Sequence, residues 1–177
     1  MSRIGRQPID LPQGVQASIS PVAVSIQGPK GKLEMKLGQG VVVKNEDSKI
    51  VVSTDTNSKQ AKANWGTTRN TIANMVHGVS EGWKRDLELH GVGYNASLNG
   101  NVLNLNVGLS HEVKMEIPAA ITAKVQKTTI ELESADKQLL GNFAAKIRKV
   151  RPPEPYLGKG IRLAGEQVRR KAGKAGK

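Results

Sequence analysis

The sequence contains no cysteine. That excludes a disulfide framework, thiolate chemistry and a Cys-type zinc site, and it suits a reducing compartment. Aromatic residues are few: Trp65, Trp83, Tyr94, Phe143 and Tyr156 are all there are, so each reads as a core anchor or as a contact. No apolar run approaches membrane-spanning length, and the opening MSRIGRQPID has no apolar stretch of the signal-peptide kind. The expectation is a soluble cytoplasmic protein that engages no membrane. His77, His90 and His111 stand singly, with no second ligand at metal-binding spacing. Glu88, Glu112 and Glu116 are scattered along strand-like segments, where alternation accounts for them. No catalytic residue, metal site, cofactor or small-molecule substrate is expected.

What the chain has in excess is positive charge. Its 27 Lys and Arg face 15 Asp and Glu, a net charge of +12. From Ala144 onward there are eleven Lys or Arg against Glu154 and Glu166, a balance of +9, while the preceding 143 residues carry sixteen against thirteen. Such concentration makes a directed field, the footprint of a surface that meets a polyanion.

The first half reads as short strands separated by turns: VQASI (15–19), VAVSIQ (22–27), LEMKL (33–37), VVVK (41–44) and KIVVS (49–53), with GPKGK as a turn. The period then changes. Ala61, Trp65, Thr68, Ile72, Met75 and Val79 recur at three- and four-residue steps and predict an amphipathic helix. Asn57 or Ser58 supplies its N-cap, with Gln60 in position for a capping box, and it ends around Gly78 to Gly82. The second half repeats the plan. WKRDLELHG, KMEI, AKVQ and TTIELE are strands. LNGNVLNLNVGL is a hairpin whose Asn99-Gly100 suits a type I′ turn. A second helix is expected from about Ala135, capped by Ser134, with Leu139, Leu140, Phe143, Ala144, Ile147 and Val150 on one face; Pro152 and Pro153 stop it.

KQAKANW from Lys59 and KQLLGNF from Lys137 share Lys, Gln, Asn and an aromatic in register, and each follows a strand. This predicts an α+β fold of two tandem similar domains from an internal duplication, each a mostly antiparallel β-sheet packed against one α-helix. The expected domains are residues 1–82 and 83–177, with Trp65 and Phe143 as equivalent core anchors.

Two motifs resemble nucleotide sites and fail on context. HGVGYNA offers Gly91, Gly93 and Ala96 in a dinucleotide-like spacing, but a hairpin follows where a helix N-terminus is needed. GPKGK lacks the Ser or Thr of a phosphate loop and leads into a strand.

The C-terminal stretch differs because its parts cooperate. Lys146, Arg148, Lys149 and Arg151 lie off the apolar stripe of the second helix, where they can pair with phosphates. Pro152, Pro153 and Pro155 stiffen the exit. Gly158 and Gly160 allow close backbone approach to phosphate oxygens, Lys159 and Arg162 add charge, and Tyr156 is placed to stack on a base. Arg169, Arg170 and Lys171 open a low-complexity basic tail that orders on a polyanion. Residues 152–177 thus read as a basic polyanion-binding extension beyond the second helix. Truncation after Val150 is expected to leave both domains folded and to remove most of the affinity for that polyanion.

RPPEPYLGKGIR resembles the C-terminal signature of the bacterial large-subunit (50S) ribosomal protein six family. MSRIGRQPI, GTTRNTIANMVHGVSEGW (66–83) and ELHGVGYNASLNGNVLNLNVGLSHEV (88–113) resemble that family in order and spacing, so the likeness covers essentially the whole chain. The family has Lys after the tyrosine, where this chain has Leu157. The resemblance implies a non-catalytic constituent of the large ribosomal subunit. It also implies binding to 23S rRNA, chiefly by the C-terminal domain, near the base of the acidic stalk and the region of the translational GTPases. Neighbouring large-subunit proteins, including those at the stalk base, would be its protein partners. Arg3, Arg6 and Arg69 are weaker RNA-binding candidates. An RNA-processing or RNA-modifying enzyme with a basic substrate face is the alternative, and it lacks an acid/base, metal or cofactor constellation. A lipid-binding tail lacks the bulky apolar anchors of a membrane-surface helix.

Overall fold

A computed structural model of the chain describes residues 3–46, 48–56 and 58–173. They form two compact units. The first runs from the N-terminus to Trp83 and takes in Ala135–Lys137; the second holds Lys84–Ser134 and the chain from Gln138 onward. No described helix is long and apolar enough to cross a membrane.

The first unit contains β1 (Ile9–Asp10), β2 (Gln16–Ile19), β3 (Ala23–Gly28), β4 (Gly31–Lys36), β5 (Val41–Glu46), β6 (Lys49–Thr54) and α1 (Lys59–Ser80). The strands make two antiparallel sheets in the orders β2-β3-β4 and β1-β6-β5. Alternation decides which side of each strand is dry. Val24 and Ile26 of β3 are fully buried, and Val43 of β5 lies opposite Val52 of β6 in the same core. Helix α1 closes that core with Ile72, Met75, Val76 and Val79. Trp65 is half-buried against it, and its indole Nε1 donates to Val52 O at 2.7 Å. The N-cap is Ser58, whose Oγ accepts the Ala61 N–H at 3.0 Å. The third helical position is therefore Ala61, so no capping box forms; Gln60 donates instead to Asn64 Oδ1. Asn57 lies outside the described residues.

The second unit contains β8 (Asn95–Asn99), β9 (Val102–Asn106), β10 (Val113–Glu116), β11 (Ile121–Gln126), β12 (Thr129–Ser134), β13 (Gly160–Leu163) and, but for the first residue of each, β7 (Trp83–His90) and α2 (Lys137–Val150). Its sheets run β10-β9-β8 and β11-β12-β7-β13. The parallel with the first unit is strand for strand. A three-stranded meander is followed by a hairpin, the leading strand returns to pair with the last strand of that hairpin, and a helix follows. This shared topology is the internal duplication, in an α+β fold. The interior includes Leu87, Leu89, Leu103, Leu105, Ile130 and Leu132 from the strands and Leu140, Phe143, Ala144 and Ile147 from α2. Phe143 is buried as expected, while its counterpart Trp65 is half-buried.

Two local expectations are corrected. Asn99 pairs with Val102 and still belongs to the strand, so the hairpin loop is Gly100-Asn101. Gly100 has φ +60° and Asn101 has no positive φ, which is the pattern of a type II′ turn rather than type I′. Ser134 is the last residue of β12, and its Oγ donates to Ala120 O at 2.8 Å; α2 starts at Lys137.

The larger correction is β13. Gly160–Leu163 pairs antiparallel with β7, placing Ile161 opposite Leu89 and Leu163 opposite Leu87. Ile161 is fully buried. Residues 152–163 are therefore part of the second domain's architecture, and truncation after Val150 would strip an edge strand from its sheet rather than leave it folded. Ile161→Ala is predicted to destabilise this unit by about 2–5 kcal/mol, the usual result of deleting a fully buried aliphatic side chain. Urea unfolding of the variant beside the wild type measures it, and an unchanged midpoint would show that β13 adds nothing to the core.

Candidate nucleic-acid interface

The basic segment is built by the chain folding back on itself. Beyond α2, Pro152 and Pro153 end the helix, and the following loop closes through Glu154 N–H to Lys159 O at 2.9 Å. Within that loop Glu154 Oε1 accepts the Leu157 N–H at 3.0 Å. The Ile161 N–H then donates to Arg151 O at 2.8 Å, bringing β13 against the helix exit. Gly160 is required by this fold: at φ +142° its Cβ would stand 2.6 Å from Pro152 O and 2.7 Å from Pro153 Cα. Gly158, at φ +73°, is packed against the Arg162 guanidinium. Both glycines are buried, so their immediate role is close approach of the chain to itself. Past β13, Ala164 N–H reaches Asp86 O at 2.9 Å and Lys171 N–H reaches Pro155 O at 2.7 Å. These bonds hold Lys171 to the proline loop. Residues 174–177 of the basic tail lie outside the described residues.

The cations divide into two groups. Lys146, Lys149, Arg151, Lys159, Arg169, Arg170 and Lys171 are exposed. Arg148 and Arg162 are half-buried and bonded within the chain. Arg148 makes a two-pronged contact with Glu166: Nε donates to Oε2 at 3.1 Å and Nη2 to Oε1 at 2.5 Å. Glu166 Oε2 also accepts the Leu163 N–H at 3.1 Å. Arg162 Nη2 donates to Gly158 O, its Nε is buried without a hydrogen-bond partner, and it lies opposite Glu88 on β7. The expectation that Arg148 stands on the solvent side ready for a phosphate therefore meets a guanidinium already engaged by a carboxylate.

Tyr156 and Leu157 project from the loop, 55% and 64% exposed. The β7–β13 register puts the Gly91–Gly93 bend at the same end of the sheet, and Val92 in that bend is 94% exposed. This bend, a false nucleotide motif in the sequence, therefore lies at the end of the sheet where the loop carrying Tyr156 enters β13. The signal in the sequence was one branched apolar residue between two glycines. In the first unit, Arg3 and Arg6 are exposed on the N-terminal turn. Arg69 binds the backbone there, with Nε to Gln7 O at 3.0 Å and Nη2 to Pro8 O at 3.2 Å.

Catalytic geometry is a different matter. Among the described residues no group of three His, Asp or Glu could hold a metal ion. His90 Nε2 lies 2.9 Å from Glu88 Oε2 and His77 Nδ1 lies 3.6 Å from Glu81 Oε2, each as a pair on the surface. A groove in the first unit, lined by Ile19, Val22, Leu37 and Val42 among others, has Asp55 as its single titratable residue among the described ones that line it. What the C-terminal segment offers chemically is a set of exposed cations on a backbone tied by hydrogen bonds, with Tyr156 and Leu157 exposed in its loop, and exposed cations of this kind suit a phosphate backbone.

The Arg148 guanidinium and the Leu163 amide hold the Glu166 carboxyl below its ordinary value of 4.5. A carboxyl lowered in the folded state contributes stability above its unfolded pKa and loses it as pH falls through the folded value. Arg148→Ala is predicted to shrink the stability lost between neutral pH and about pH 3, read as the difference in melting temperature at the two pH values. An identical acid loss in both proteins would mean that the pair is not formed.

Two segments, residues 11–82 and 90–163, match the family model described as Ribosomal protein L6. Among its relatives, the chain is 52% identical to the Large ribosomal subunit protein uL6 of Synechocystis sp. strain PCC 6803, over all of this chain and 99% of the relative. It is 50% identical to the protein of that name from Picosynechococcus sp. strain PCC 7002, again over all of this chain and 99% of the relative. It is 47% identical to that from Caulobacter vibrioides NA1000, over 98% of this chain and 99% of the relative. The two matched segments fall on the two structural repeats, and the second ends on the last residue of β13. On repeated topology, full-length similarity and the basic C-terminal framework together, the chain belongs to the ribosomal protein L6 family.

Proposed function

We propose that this protein is a structural constituent of the large ribosomal subunit in the cytoplasm, where it fixes folded 23S rRNA through phosphate contacts and shape. Its place is near the base of the acidic stalk, in the region where translational GTPases act, with neighbouring large-subunit proteins as its protein partners. Family membership supports a structural, non-enzymatic role. The stalk-base position rests on the RPPEPYLGKGIR resemblance.

The observation that carries RNA binding is the state of the charges after residue 144. Both acids of that region, Glu154 and Glu166, are hydrogen-bonded to the chain itself, while Lys146, Lys149, Arg151, Lys159, Arg169, Arg170 and Lys171 face solvent. These seven are the proposed phosphate ligands. Tyr156 and Leu157 meet ribose or an unstacked base between them. Arg148, Gly158, Gly160 and Arg162 belong to the frame that presents them. Arg3 and Arg6 remain secondary candidates, and Arg69 acts through the N-terminal turn that it binds.

Two measurements test this. The protein should sediment with the large subunit from low-salt extract, and recovery solely in free fractions would overturn the reading. Lys159→Ala with Arg170→Ala should weaken binding to a 23S rRNA fragment. The slope of log K against log salt should then fall by roughly 0.7–0.9 for each lost phosphate contact. An unchanged slope would place the RNA surface elsewhere.

A further inference from the structure

Glu166 is a carboxylate in the middle of a cationic region, where counting charges against a polyanion gives no reason for it. Removing it would raise the net charge by one and, by charge counting, strengthen RNA binding. Its contacts argue for the opposite. The carboxylate holds three donors at once, Arg148 Nε at 3.1 Å, Arg148 Nη2 at 2.5 Å and Leu163 N–H at 3.1 Å. Its side chain is 25% exposed and that of Arg148 is 38% exposed, so the pair is partly withdrawn from screening by water and ions. Three pieces of the chain meet there: the last turn of α2, the end of β13 and the segment leading to Arg169–Lys171.

We propose that Glu166 is a positioning residue for RNA binding, fixing the cations of α2 relative to those of the 164–171 segment so that they engage successive phosphates together. The inference rests on the RNA-binding reading above. Without the carboxylate, residues 164–171 keep their backbone ties at Ala164 and Lys171, but the bridge to α2 is gone. The cations on either side must then be ordered by the RNA itself, at a cost in conformational entropy. Arg148, set free, is one added charge on a mobile side chain. Fixing several charges together outweighs adding one.

The experiment uses the full chain and a 23S rRNA fragment, with affinity measured over a range of salt. The slope of log K against log salt reports the number of phosphates engaged and does not depend on what fraction of the protein is active. Glu166→Gln should bind at least about fivefold more weakly at ~0.1 M salt, with a slope lower by roughly 0.7–0.9, equivalent to one lost phosphate. Glu166→Asp keeps the charge but shortens the reach by one methylene group, and it should lower the slope as well. Equal or tighter binding by Glu166→Gln overturns the proposal, because Arg148 would then be a phosphate ligand held in check. Weaker binding with the wild-type slope in both variants also overturns it, because only the folded fraction has changed. A wild-type protein whose binding is insensitive to salt would overturn the RNA-binding reading beneath it.

Discussion

Each unit of this protein depends on one constraint: a sheet with one apolar face and a helix with one apolar stripe can only be dry against each other. With five aromatic residues in the chain, the core must be made from many small aliphatic contributions. Val24, Ile26, Ile50 and Val52 meet Ile72, Met75 and Val79 in the first unit, and every one is buried. The second unit solves the problem with the same order of strands and a shorter helix. Each repeat closes its own core, so each is free to carry different surface chemistry.

That freedom is used asymmetrically. The first unit ends its sheet at two strands plus the short β1, and Arg69 is turned inward on its own N-terminal backbone. The second unit adds β13 beyond β7. The addition is small, yet it changes what the basic segment is. Ile161 buries an anchor, Gly160 lets the chain pass close to Pro152, and the Arg148–Glu166 pair ties the far end back to α2. The backbone that carries the cations on either side of β13 is thereby tied to α2 and to the sheet edge. A prearranged set of charges needs less ordering when it meets phosphates than a tail of the same composition.

Much of this was legible in the residues. The change of hydrophobic period marked α1, and the Lys59 and Lys137 heptapeptides disclosed the duplication. Other features were hidden for identifiable reasons. β13 has just Ile161 and Leu163 as alternating apolar residues, set among glycines and prolines, which is too short a period to separate from a loop. Ser134 looked like a cap because Ser favours that role, but the strand extends through it. Asn-Gly suggested type I′, while the pairing of Asn99 with Val102 moved the turn on by one residue. In each case a long-range partner overrode a local preference.

Composition and periodicity therefore determined the fold class, the repeat and the location of the charge, because these depend on nearest-neighbour spacing and on sums over the chain. Only the tertiary structure decided which charges are available. Lys149 and Arg148 are adjacent in sequence, and one faces solvent while the other is held by a carboxylate eighteen residues away. A charge is spoken for by whatever the fold brings within about 3 Å of it, and sequence distance does not measure that.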